Sequence, residues 1–211
     1  CLLVILEPNM SITMCIGFIM LFMLFIGGTK MKHFVWLGIP AACAVPALII
    51  VEPYRVQRFM AFLNPWASPQ AEGFQLIQSL YSLGSGGLFG VGLGNSRQKY
   101  MFLPFSESDF IFSIIGEELG LFGAILTLIV FAVLIYLLIS VARNAKDRFG
   151  ALLVLGVASV IAIQVILNVC VVSGLIPPTG LPLPFISAGS TSLIVFMAAV
   201  GLCLNVARQS K

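Results

Sequence analysis

Long apolar stretches dominate this chain, and most charged residues fall between them. A helix needs about 20 mostly apolar residues to cross a bilayer, and five stretches come close to or exceed that length. With 60% hydrophobic and 9% charged residues and a mean hydropathy of +1.10, the composition excludes a water-soluble domain. The pattern predicts an all-α polytopic membrane protein with about five transmembrane helices, at roughly 2–27, 34–51, 110–141, 150–174 and 186–206.

The connections between these stretches set the orientation. Positively charged loops stay on the cytoplasmic side of a membrane, so segments 52–108 and 175–185 are expected outside. We interpret 1–211 as one transmembrane domain fragment of a longer protein, with the N-terminal half absent, because the chain starts inside an apolar run without methionine. The connections expected inside carry Lys30, Lys32, His33, Arg143, Lys146 and Arg148, and Arg208 and Lys211 follow the last stretch.

The outer segment 52–108 is too long for a simple connector. Within it, 71–87 reads as an amphipathic helix at the membrane interface, with Phe74, Ile77, Leu80 and Tyr81 on one side. The glycine-rich run that follows does not satisfy the GxGxxG spacing of nucleotide-binding loops. It instead predicts close backbone packing or a bent re-entrant turn.

The third stretch is too long for one straight crossing and is interrupted by Gly116 and Gly120. Two interpretations remain open. It forms one long helix, or a short entering helix starts at Asp109 and the membrane helix proper starts near Leu121.

Half of the eight acidic residues crowd into this region, as Glu107, Asp109, Glu117 and Glu118. An ionised group in hydrocarbon costs at least about 2.5 kcal/mol, so these carboxyl groups need a reason. Asp109 suits either a helix cap or a proton-accepting site. At least one of Glu117 and Glu118 is expected to support the helix bundle.

Four basic residues lie in the outer segment, at Arg55, Arg58, Arg97 and Lys99. They suit either contact with lipid headgroups or a site for a phosphorylated, membrane-embedded substrate, since arginine grips phosphate oxygens in a planar fork. Elsewhere, the string Glu7-Pro8-Asn9 predicts a proline kink in the first span, where Glu7 is expected to support the structure. Gln164 and Asn168 predict hydrogen bonds between helices. No metal-ligand spacing occurs in the sequence.

Several strings resemble one bacterial family, the SEDS proteins (FtsW, RodA and SpoVE), most closely the FtsW of Gram-positive bacteria. The strings are YRVQRFMAFLNP (54–65), GFQLIQSLYSLGSGGLFGVGLG (73–94), FLPFSESDFIFSIIGEELGLFG (102–123) and GLIPPTGLPLPFISAGSTSL (174–193). They keep the family order along essentially the whole chain. Family members have about ten transmembrane helices.

This resemblance implies a peptidoglycan glycosyltransferase that polymerises lipid II at the outer face of the bacterial cytoplasmic membrane and releases undecaprenyl pyrophosphate. It carries the essential aspartate onto Asp109, the arginine of the QR string onto Arg58 and the acid pair onto Glu117 and Glu118. It implies a class B penicillin-binding protein and other division or elongation proteins as partners, and no nucleic acid. It also implies that the protein lies at the division septum. A divalent cation, Mg²⁺ or Mn²⁺, is expected from the family, with no organic cofactor.

Two other functions fit parts of the pattern. A flippase or transporter of lipid-linked precursors would also use charged groups at membrane depth and glycine-broken helices. However, a transporter needs charges reachable from both faces, and here they cluster outside. A non-enzymatic scaffold that recruits a penicillin-binding protein would not need the Asp109 carboxyl group at all.

Overall fold

The structure is a computed structural model that describes residues 10–36, 38–39, 53–71, 73–101, 103–104 and 106–210. This part of the chain is helical, with irregular connections. In chain order, the structure includes the helices α1 (Met10–Ile26), α2 (Pro53–Leu63), a short 3₁₀ helix (Pro65–Ala67), α3 (Phe74–Gly86), α4 (Arg97–Met101), α5 (Ile111–Arg143), α6 (Arg148–Val172) and α7 (Ser190–Gln209). The described residues 31–36 and 38–39 are also helical.

Three helices, α5, α6 and α7, are long and apolar enough to cross a membrane. They match the third, fourth and fifth predicted spans with only small differences at their ends. The described part of the first predicted span is α1, an apolar helix of 17 residues. Most of the predicted span 34–51, and the Glu7-Pro8-Asn9 kink, lie outside the described residues.

Helix α6 is the centre of the bundle and contacts α1, α5 and α7. Its Val154, Ile161 and Val172 are fully buried. They belong to one apolar cluster with Phe131 of α5 and Phe196 of α7. Because lipid tails are as apolar as these side chains, close packing rather than escape from water holds such membrane helices together.

Helix α3 confirms the predicted helix, and on its predicted apolar side Ile77 is buried whereas Tyr81 is not. Tyr81 is half exposed and meets the ring of Trp66 edge-on at 5.7 Å. The helix also buries Ser79 and Ser82, whose hydroxyls donate to the backbone carbonyls of Val172 and Ser113, each at 2.9 Å. Buried serines that bond to a neighbouring backbone leave no trace in an apolar pattern, so sequence periodicity did not indicate them.

Helix α5 is broken at Gly120, which has φ 69° and ψ −167°. In a continuous helix the N–H groups of Leu121 and Phe122 would donate to the carbonyls of Glu117 and Glu118. Here they donate to residues 87 and 88 of the outer segment, at 2.9 and 3.2 Å. The second open interpretation of this stretch is therefore the correct one: a short entering helix precedes the membrane helix.

The carbonyls left free by this break are taken by the same outer segment. The N–H groups of Val91 and Gly92 donate to Glu117 O and Glu118 O at 2.9 and 3.0 Å. Residues 87–94, which we call the glycine turn, are thus inserted into the hydrogen-bond ladder of α5.

Only glycine allows this insertion at two of the positions. A Cβ on Gly90 would collide with the Glu118 carbonyl, and one on Gly120 would collide with the Gly90 nitrogen. Both residues also have positive φ, at 78° and 69°. The close backbone packing predicted for the glycine-rich run is confirmed.

Candidate functional site

Asp109 lies in the irregular turn immediately before α5. The N-cap residue of α5 is Phe110, which makes no side-chain capping bond. Asp109 is therefore not the N-cap residue of α5. Its carboxylate instead accepts a hydrogen bond from the Ser108 side chain, and the residue is partly buried.

Asn168 of α6 fixes the backbone at Asp109. Its side-chain amide donates to Asp109 O and to Leu181 O, both at 2.8 Å. Asn168 is 1% exposed, so these bonds form away from water. One α6 side chain therefore joins the start of α5 to the loop 173–187, which we call the proline-rich loop.

Further bonds tie this loop to the Asp109 turn. The Ser187 hydroxyl donates to Ser108 O and accepts from the backbone N–H of Leu183. The N–H of Ala188 donates to Glu107 O at 2.7 Å. The proline-rich loop therefore forms a wall beside Asp109.

Arg58 of α2 reaches the same place. Its Nη1 donates to Pro178 O at 3.5 Å, and its positive charge acts on Asp109. Gly180 lies so close that a Cβ there would stand 3.4 Å from Asp109 Oδ2. The carboxylate thus has a cation nearby and little steric cover on the Gly180 side.

Burial raises the pKa of Asp109 above its ordinary value of 3.8. The Ser108 hydrogen bond and the Arg58 charge favour the ionised form and lower the pKa, but burial is the largest cause. A carboxylate made more basic in this way is a better proton acceptor at neutral pH. The adjacent guanidinium can stabilise negative charge on a ligand.

Among the described residues, the predicted cations Arg97 and Lys99 are not groups that shift the pKa of Asp109. The side chain of Arg55 lies outside the described part of the chain. Lys99 stands 5.9 Å from the ring centre of Tyr100. Arg97 lines a separate cavity of about 540 Å³ with Ser85, Val91, Asn95 and Glu117, and Asp109 is not among these lining residues.

Glu117 is 3% exposed, yet its carboxylate is well satisfied. Its Oε2 accepts from Ser82 Oγ at 3.1 Å and from Ser96 Oγ at 2.6 Å. Its Oε1 accepts from the backbone N–H of Arg97 at 3.1 Å. Glu117 therefore links α3 and α4 to α5, whereas Glu118 Oε1 is buried without a hydrogen-bond partner among the described residues.

Sequence reasoning singled out Asp109 and Arg58 and predicted that Asn168 forms hydrogen bonds, but it did not indicate what Asn168 bonds to. Asn168 stood out only as a polar residue in an apolar span, which does not reveal its partners. Ser187 and Gly180 carried no signal of their own. Backbone carbonyls, the partners of Asn168 and Arg58, are invisible in a sequence.

The described residues do not make a dedicated metal site. No group of three or more His, Cys, Asp and Glu side chains gathers anywhere in them. At Asp109 the carboxylate has a cation for a neighbour instead of a second carboxylate, and this donor set does not fit Mg²⁺ or Mn²⁺ by itself. A divalent cation stays a prediction.

Curated relatives share much of this sequence. Stage V sporulation protein E of Bacillus subtilis (strain 168) is 46% identical over 211 residues, which is 100% of this chain and 57% of that protein. The probable peptidoglycan glycosyltransferase FtsW of Trichlorobacter lovleyi is 42% identical over 200 residues, covering 95% of this chain and 52% of the relative. The FtsW of Coxiella burnetii, which carries the same description, is 42% identical over 212 residues, which cover 99% of this chain and 57% of that protein.

A solved structure agrees with the sequence comparison. The chain aligns with a structure described as "Structural coordination of polymerization and crosslinking by a peptidoglycan synthase complex", with a TM-score of 0.80 and 27% sequence identity. The alignment covers 99% of this chain and 58% of the other chain. The chain thus spans little more than half the length of the proteins it matches. The family model for FtsW, RodA and SpoVE, described as "Cell cycle protein", matches residues 1–211. The chain belongs to this family of bacterial membrane proteins.

Proposed function

We propose that the full-length protein is a peptidoglycan glycosyltransferase that joins lipid II molecules into glycan strands at the outer face of the cytoplasmic membrane. The observation that carries this proposal is the pairing of a partly buried carboxylate, Asp109, with the charge of Arg58 at the start of a membrane helix. The names of the relatives in Trichlorobacter lovleyi and Coxiella burnetii support the same reaction.

In the proposed reaction Asp109 is the general base. Its carboxylate takes the proton of the acceptor sugar 4-hydroxyl as that oxygen attacks the anomeric carbon of the donor. The bond between this carbon and the pyrophosphate oxygen breaks, and undecaprenyl pyrophosphate leaves with the bonding electron pair. A positioned base contributes about 10²–10⁴-fold to such a step.

Arg58 is proposed to stabilise the charge that grows on the departing pyrophosphate. Its bond to Pro178 O holds the guanidinium on the proline-rich loop, which also borders Asp109. Arg97 and Lys99 would act farther away, by attracting anionic lipid headgroups to the outer segment, and Arg55 is proposed to join Arg58. No step in this scheme requires a metal ion.

The proposed setting follows from the same family. The full-length protein would work at the division septum or at sites of wall growth, beside a class B penicillin-binding protein that crosslinks the strands. The aligned structure, described as coordinating polymerisation and crosslinking in one complex, supports such a partnership.

The experiment that tests this function uses purified full-length protein in vesicles supplied with lipid II. Formation of glycan chains without movement of lipid II between leaflets is the expected result. Translocation without polymer would instead show a flippase. Neither activity, in a protein that still recruits its partner, would show a scaffold.

A further inference from the structure

The glycine turn carries large apolar side chains that are mostly exposed among the described residues. Phe89 is 79% exposed and Leu93 is 76% exposed, and Leu88 is exposed as well. Neighbouring apolar side chains of this size that are mostly exposed indicate a surface that contacts another protein or membrane lipid.

The depth of the turn follows from its bonds to α5. At about 1.5 Å per residue, the part of α5 after the kink is roughly 34 Å long. That length matches the ~30 Å of hydrocarbon in a bilayer, and the helix ends at Arg143, next to a charged connection. Gly120 therefore lies near the opposite boundary of the hydrocarbon, with Leu121 and Phe122 just inside it.

The glycine turn must lie at the same depth, because residues 87 and 88 accept hydrogen bonds from the N–H groups of Leu121 and Phe122. The ring of Phe89 also stacks on the ring of Phe122, with centroids 5.2 Å apart and planes at 28°. The apolar side chains of the turn therefore continue a membrane-facing surface of α5. That surface consists of Leu121, Phe122, Ile125, Leu126 and Ile129, all of which are exposed.

The turn can occupy this depth because its backbone is largely satisfied. Irregular backbone enters hydrocarbon only where its polar groups find partners. The exchange with α5 pairs the N–H groups of Val91 and Gly92 with carbonyls of α5, and Gly90 N donates to Gly86 O at 2.7 Å. The polar cost that excludes most loops from a membrane is thus greatly reduced here.

We infer that the glycine turn enters the leaflet in which α5 begins, where Leu88, Phe89 and Leu93 contact the acyl chains of membrane lipids. The turn then anchors the outer segment 52–108 to the bilayer surface. This inference concerns how the protein meets the membrane. It does not depend on the chemistry at Asp109.

The test places a photo-crosslinking residue, p-benzoylphenylalanine, at position 89 or 93 of the full-length protein in phospholipid nanodiscs. Position 126, on the exposed face of the α5 membrane helix, is the positive control. Position 144, exposed in the charged connection after α5, is the negative control. After irradiation, mass spectrometry of the intact protein counts phospholipid adducts.

We expect phospholipid adducts at 89 and 93 at a yield close to that at 126 and at least about fivefold above that at 144, as for apolar side chains within the acyl region. Yields as low as at 144 would show that the turn lies in water, and adducts with protein would show that it is a protein-binding surface. Either result overturns the inference, while the polymerisation assay stays an independent test of the proposed function.

Discussion

The side-chain amide of Asn168 donates to the backbone carbonyl of Asp109 at 2.8 Å. This bond crosses from the central helix of the bundle to the turn that presents the candidate base. The same amide also holds the carbonyl of Leu181 in the proline-rich loop. The position of the Asp109 carboxylate is thus set by a residue that has no acid–base chemistry of its own.

Replacing Asn168 should therefore damage both stability and activity. Asn168→Leu leaves the carbonyls of Asp109 and Leu181 without this donor, which should cost about 2–4 kcal/mol and lower the thermal unfolding midpoint in detergent. Because small displacements of a reacting group can cost about 10²-fold, glycan polymerisation should fall more than stability suggests. Gln164→Leu, one helical turn away, is the matched control, since Gln164 Oε1 is buried without a hydrogen-bond partner among the described residues. Equal effects of both variants would argue against a specific role of Asn168.

The two adjacent glutamates should behave differently. Glu117→Leu removes one of two acceptors of Ser82 and the acceptor of Ser96 and of the N–H of Arg97, and should destabilise the fold by about 3 kcal/mol. Glu118→Leu removes a carboxylate with one unsatisfied buried oxygen and should cost much less. Differential scanning fluorimetry of the full-length variants compares them, and a larger loss for Glu118→Leu would contradict this assignment.

The kink in α5 should require glycine. Gly120→Ala introduces a Cβ that meets the Gly90 nitrogen, at a φ of 69° that alanine tolerates poorly, and should cost at least about 2 kcal/mol. Gly84→Ala is the control, because nothing lies within 4 Å of the added Cβ in α3. That change should be neutral or stabilise by up to about 1 kcal/mol. Thermal unfolding that ranks the two variants the other way would disprove the inserted-turn geometry.

Removing the cation beside Asp109 should shift the pH dependence of polymerisation. The base must be ionised to act, so activity should fall as the pH drops through the pKa of Asp109, which burial holds above 3.8. Arg58 lowers that pKa, so Arg58→Gln should raise it and move the acidic limb of the rate profile to higher pH. Arg97→Gln, in the separate cavity, should leave the limb in place. If the acidic limb of the pH–rate profile stays in place in Arg58→Gln, the charge of Arg58 does not act on the catalytic base.

The membrane helices followed readily from the sequence, because long apolar runs have few alternatives. The break at Gly120 was predictable as an alternative, since glycines interrupt the run there. The segment that pairs with α5 at this break was not predictable, because its exchange with residues 87–92 uses backbone groups that every residue carries. For the same reason, the sequence indicated Asp109 and Arg58 by residue type but could not indicate Asn168 as the residue that holds Asp109.

Asp109→Asn measures the central claim most directly. Burial raises the pKa of Asp109, so the folded protein holds that proton more tightly than the unfolded chain, and the resulting stability is lost as the pH rises through the folded pKa. At neutral pH the ionised carboxylate therefore costs stability, and the Asn variant should unfold at the same temperature or higher. Glu107→Gln, two residues away and exposed, is the matched control.

The deciding measurement is the rate of lipid II polymerisation by the purified full-length Asp109→Asn protein. The account predicts a loss of about 10²–10⁴-fold, with normal folding and with Glu107→Gln close to wild type. Near-normal polymerisation by well-folded Asp109→Asn protein would contradict it.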